Sequence, residues 1–162
     1  MRHDTSSRRR RVHLVAGAIA AAALMAGAST AAALIVPGRS VAGVRLNDTA
    51  AKVRKTLGAP EKGSTPLSYR YIRRRGFGVY FISNRVFQIT VLRRPQATRA
   101  GVRIGTPLKR LRLAHRGVKC RTAIVGRNTM ECTLRGRFAG RATATVFTTR
   151  GGRVVQIAVK FA

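Results

Sequence analysis

The spacing of apolar residues changes along the chain, and each change marks a different kind of segment. From Val12 to Val36 apolar and small residues run together, with no charge unless His13 is protonated. Val41, Val44 and Leu46 then form a short extended approach. Ala50, Val53 and Leu57 follow at helical spacing, while Lys52, Arg54 and Lys55 point elsewhere. Asn47 and Asp48 offer side-chain oxygens to the free N–H groups of a first helical turn. Gly58 supplies a left-handed end and Pro60 prevents resumption. The pattern predicts one short amphipathic helix, which needs tertiary packing to persist.

The period then becomes extended. Ser68–Arg75, Phe77–Ile82 and Val86–Leu92 read as strands, with a turn at Ser83-Asn84-Arg85. Phe87, Ile89 and Val91 fall on one face and Gln88 and Thr90 on the other, the alternation of an antiparallel sheet with one buried face. A second helix is predicted after Thr106-Pro107, a capping hydroxyl followed by proline at the first helical position. Leu108, Leu111 and Ala114 are its inward positions, and Gly117 closes it. Val118–Val125 with Thr129–Leu134, and Ala142–Thr149 with Val154–Phe161, read as two further hairpins.

Parts of this pattern occur twice. Ala42-Gly43-Val44-Arg45-Leu46 is echoed by Ala100-Gly101-Val102-Arg103-Ile104. The strands from Val79 to Val91 can be laid beside Thr145 to Val159, with Gly151-Gly152 as an insertion that lengthens one turn. The expectation is an α+β fold of two tandem repeats, 41–93 and 99–162, each a short helix packed on an antiparallel β-hairpin sheet. Together they make one domain, 37–162, preceded by a hydrophobic N-terminal signal helix within 1–36.

The motif Gly43-Val44-x-Leu46-x-x-Thr49-x-x-x-Val53-x-x-x-Leu57-Gly58-x-Pro60 resembles the opening helix of the small BamE (SmpA/OmlA) envelope lipoproteins and of the related tandem-repeat β-lactamase inhibitor proteins. It is also similar to motifs opening secreted proteins of high-GC bacteria. The resemblance covers one helix and its flanks and implies a helix laid against an antiparallel sheet. The chain departs from the lipoproteins in having no acylated Cys after the apolar run, since its first Cys is Cys120. It also has Asn47 where Gly is common, and the second copy lacks the Leu-Gly-x-Pro ending.

Arg2 and the run Arg8–Arg11 ahead of the apolar stretch read as a secretory signal, with Ala26-Gly27-Ala28 and Ser29-Thr30-Ala31 as candidate cleavage motifs. A retained membrane anchor is the alternative, because about 20 apolar residues span a bilayer. Membrane contact follows only if the leader is uncleaved. The arginine pair leaves twin-arginine export open. The expected location is therefore secreted or cell envelope. Two cysteines in an oxidising compartment point to a structural disulfide, Cys120 to Cys132, rather than a metal site.

The formal charge is +29, and loss of Arg2, Arg8–Arg11 and Asp4 with the leader lowers it to +25. Such an excess attracts polyanions, although an Arg-, Ala- and Gly-rich GC-biased composition produces it too. Arg70, Arg73, Arg74, Arg75, Arg93 and Arg94 are the candidate anion-binding residues, and they interleave with Tyr69, Tyr71, Phe77, Tyr80, Phe81 and Phe87. That pattern fits base stacking, and it equally fits strands with buried aromatics and solvated arginines.

Catalytic groups are sparse. After the leader the chain has one histidine, His115, and three carboxylates, Asp48, Glu61 and Glu131. No paired carboxylates, nucleophile turn or phosphate loop is present. No enzyme activity, metal or cofactor is expected. The leading expectation is an exported binding protein whose partner is an unidentified protein or envelope component. A polyanion, whether nucleic acid, anionic lipid or acidic wall polymer, is the alternative.

Overall fold

A computed structural model describes residues 34–123 and 128–162. The signal helix expected in the leader lies outside these residues, except that Leu34–Val36 form the first strand, β1. Its Ile35 is completely buried, so the end of the apolar run belongs to the core of the described fold. Both candidate cleavage motifs precede it.

Within the described residues β1 lies in a small sheet. It pairs antiparallel with β2 (Ser40–Val41), which pairs with β3 (Val44–Arg45), and parallel with β7 (Ala97–Thr98). The remaining strands form one seven-stranded antiparallel sheet in the order β4-β5-β6-β11-β10-β9-β8. Their ranges are β4 Ser68–Tyr71, β5 Phe77–Ile82, β6 Arg85–Val91, β8 Lys119–Thr122, β9 Thr129–Phe138, β10 Arg141–Arg150 and β11 Arg153–Phe161. The helices are α1 (Ala50–Leu57), the single turn α2 (Ile72–Arg75) and α3 (Leu108–Ala114).

This overturns the expected α+β arrangement of two helix-on-hairpin units. Among the described residues the protein is mostly β, 50% strand against 15% helix, and its hairpins do not form separate sheets. The reason lies at the centre of the large sheet. β6 and β11 each have an apolar inward face and a free edge, and they satisfy those edges on each other through Ile157↔Val91, Ala158↔Thr90, Val159↔Ile89 and Lys160↔Gln88.

The three hairpin turns Ser83-Asn84, Ala139-Gly140 and Gly151-Gly152 each have two residues with positive φ, as twist-matched two-residue loops require. Gly151-Gly152 therefore does not lengthen a turn. The register slips once in each of the β5–β6 and β10–β11 hairpins, at Phe87 and Val155, so Val79 matches Phe147 rather than Thr145.

The helix starts also differ from expectation by one residue. Thr49, not Asn47 or Asp48, caps α1 by accepting from the Lys52 N–H at 3.2 Å. Pro107 is the cap position of α3, with no side-chain bond. Asp48 and Thr106 instead close the preceding turns, accepting from the Arg45 N–H (2.8 Å) and the Arg103 N–H (2.9 Å). Each turn is then pinned to the large sheet. Asn47 N–H donates to Val86 O (2.8 Å) and Val86 N–H to Asp48 O (2.9 Å), while Gly105 N–H donates to Val154 O (2.7 Å) and Val154 N–H to Thr106 O (2.9 Å).

Both long helices and the small sheet cover one face of the large sheet. Val53 and Leu57 of α1 and Leu111 of α3 join Phe77, Val79, Ile89, Phe147, Ile157 and Val159 in a single core. The small sheet is held down at Gly38, whose N–H donates to the buried Thr145 hydroxyl at 2.7 Å.

Candidate functional site

The face of the large sheet opposite the core carries no covering layer among the described residues. Register places Arg70, Gly78, Thr90, Ala158, Val146, Thr133 and Lys119 in one row across all seven strands. At about 4.8 Å per strand that row is roughly 29 Å long. Its middle is small and uncharged, and its two ends are cationic. The neighbouring row runs Ser68, Tyr80, Gln88, Lys160, Ala144, Arg135. Thr90, Ala158 and Ala144 are shielded by longer neighbours, and the Gln88 amide donates to the Thr90 hydroxyl at 2.8 Å. Tyr80 and Ile82 remain exposed on this face.

Arg121 and Glu131 pair at its far edge (3.1 Å), beside the bond joining Cys120 to Cys132. The two cysteines are direct partners of β8 and β9. The disulfide is thus present, and such a bond belongs to an oxidising, extracytoplasmic environment.

A second basic region lies at one end of the sheet. Ser68–Arg75 is not one strand: after Tyr71 the chain turns into α2. The Glu61 carboxylate accepts from the Arg73 (3.2 Å) and Arg74 (2.9 Å) N–H groups, and these bonds, Arg74's above all, hold Glu61 below its ordinary pKa. Gly76 ends the turn with φ 77°, and Gly76 O accepts from the Leu92 (2.8 Å) and Arg93 (3.0 Å) N–H groups. A Cβ at Gly76 would stand 2.8 Å from Arg93 O, so no other residue fits this junction. It brings Arg73, Arg74, Arg75, Arg93 and Arg94 to one end of the sheet, all exposed. Arg70 is exposed on the uncovered face instead. Tyr69, Tyr71, Phe77 and Phe81 are buried in the core, which removes them as a base-stacking platform.

The three described acids are all engaged. Asp48 pairs with Lys52 (2.7 Å), Glu131 with Arg121, and Glu61 with the backbone of α2. Among the described residues the other cations have no carboxylate partner. His115 stacks on Phe147 with centroids 5.6 Å apart, and its Nε2 lies 3.4 Å from the Thr98 hydroxyl. Burial lowers its pKa below the ordinary histidine value. With no carboxylate beside it, it serves as a packing residue. No group of three or more His, Cys, Asp or Glu among the described residues is placed to hold a metal.

An open groove of about 290 Å³ lies at the opposite end of the sheet. Asn47, Ile82, Ser83, Arg85, Val86, Phe87, Arg141 and Phe161 line it. Sequence reasoning missed it because β6, β10 and β11 contribute residues far apart in the chain. No helix among the described residues is long and apolar enough to cross a membrane. No protein-family model, curated protein or solved structure matches the chain.

Proposed function

We propose that the protein is an exported, non-enzymatic binding protein of the cell envelope or its surroundings, and that it receives an acidic protein partner on the uncovered face of the seven-stranded sheet. One observation carries this reading: a row of small, uncharged residues crosses the whole sheet between Arg70 and Lys119, with Arg135 alongside and no unpaired carboxylate. The row and the longer side chains that shield it, Tyr80 and Gln88, offer an uncharged floor, and the charges at the ends favour an acidic rim through electrostatic complementarity. The disulfide and the Arg-rich, apolar leader support export. The clustering of Arg73, Arg74, Arg75, Arg93 and Arg94 favours a second reading, binding of a polyanion at the end of the sheet.

The two readings separate in one experiment with two variants. Val146→Glu places a like charge on the floor against the acidic partner. A triple Gln variant at Arg73, Arg74 and Arg75 leaves the floor intact. Capture of the native partner is expected to fail with Val146→Glu and to survive the triple variant. If instead the triple variant abolishes binding and reduces the salt slope of heparin or DNA retention by about three, the protein is a polyanion binder.

A further inference from the structure

The groove beside Asn47 differs from the rest of the basic surface because it joins apolar rings to two oriented guanidinium groups. Phe87 and Phe161 lie 6.4 Å apart at its base, and the exposed Ile82 forms one wall. Arg141 stacks over the Phe161 ring, 3.8 Å from its centroid. Arg85 is held at the other side by donating to Asn47 O at 3.3 Å. Neither pairs with a carboxylate among the described residues.

The second half of the chain supplies a comparison. There Arg153 repeats the bond of Arg85, donating to Gly105 O at 3.2 Å. The corresponding place is taken by the chain itself, because the Arg94 Nε donates to Ile104 O at 3.4 Å and its Nη2 lies against Gly105. A flat side chain thus sits at one turn, and the other turn is open.

We propose that this groove anchors one aromatic side chain of an acidic peptide segment, with the ring against Phe87 and Ile82 beside the Arg141-covered Phe161, and the flanking carboxylates on Arg85 and Arg141. Its volume lies at the lower limit of the ~300–1,000 Å³ of small-molecule sites, which suits one side chain better than a whole ligand. Charge selects the flanking residues, and the Phe87 ring, partly open to the groove, selects the anchor by offset or edge stacking. The site lies at the end of the sheet, shares only Ile82 with the exposed residues of the proposed docking face, and does not depend on the Arg70-to-Lys119 row.

The test titrates the full chain, observed by amide NMR, with a blocked pentapeptide carrying one phenylalanine between two pairs of aspartates. The control peptide has glycine in place of phenylalanine. Shifts confined to Ile82–Phe87, Arg141 and Phe161 are expected, with binding about tenfold weaker for the glycine peptide. Arg141→Gln is expected to weaken the phenylalanine peptide by a similar factor, and Arg141→Lys to recover part of the loss. Arg99→Gln and Val146→Glu are expected to leave it unchanged. Equal binding of the two peptides, shifts spread over the basic surface, or no binding at millimolar peptide overturns the proposal. Shift mapping on the unaltered protein keeps the test valid if a variant folds poorly.

Discussion

Thr143 and Thr145 stand two residues apart on the inward face of β10, are 1% and 0% exposed, and should respond oppositely to the same substitution. The Thr145 hydroxyl accepts from the Gly38 N–H at 2.7 Å and ties the small sheet to the large one. Thr145→Val keeps the shape and removes the acceptor, leaving a buried N–H unsatisfied at a cost of about 1–3 kcal/mol. The Thr143 hydroxyl is buried with no partner among the described residues. Thr143→Val removes an unsatisfied polar group, so its effect should run from neutral to a gain of about 1 kcal/mol. Gly38 and Gly136 beside it have no Cβ, so the added methyl meets backbone rather than side chain. Urea unfolding checks both variants: with slopes of about 1–3 kcal/mol/M, Thr145→Val should lower the midpoint by roughly 1 M and Thr143→Val should not lower it. Equal losses in the two variants would show that β10 responds to the change of shape alone, and the hydrogen-bond assignment would fail.

Two other outcomes follow from the same structure. The Cys120–Cys132 bond closes a loop of sequence separation 12 and holds the edge strand β8 to β9, so its reduction should cost about 3 kcal/mol. Unfolding in reductant, with free thiols confirmed by mass spectrometry, would contradict this if the midpoint did not move. His115 has its pKa lowered by burial against Phe147, with the Thr98 hydroxyl beside its Nε2. The unfolded chain therefore binds the proton more readily, and stability should fall as pH drops below about 6.5 toward the folded value. His115→Gln should flatten that part of the stability profile, and an unchanged slope would assign it to other groups.

The elements most legible in the sequence were those whose signal is local. Val53 and Leu57 on α1, Gly58 as its positive-φ end, and the turn at Ser83-Asn84 depend on neighbours in the chain, and each lies where its pattern put it. Arg73–Arg75 form a helical turn because Glu61, twelve and thirteen residues earlier, accepts their N–H groups, which no local pattern encodes. Asp48 and Thr106 look like helix caps by residue type, yet each bonds backward to a backbone N–H three residues earlier, moving the helix start on by one. The union of the hairpins into one sheet rests on β6 meeting β11, a long-range pairing that alternation alone does not specify. The candidate arginines were visible as a composition. Their gathering at Gly76 required the backbone bonds that bring Leu92 and Arg93 to it.

The last strand of the chain, β11, lies in the middle of the large sheet between β6 and β10. Strands made earlier, β4 to β6, cannot close their inner edge until Arg153–Phe161 has emerged, so the sheet is completed only after β11 is made. A chain built in this order keeps the centre of its large sheet open until β11 joins it. It also means that loss of the pairings of Val159, Lys160 and Phe161 would open the sheet at its centre rather than fray its margin.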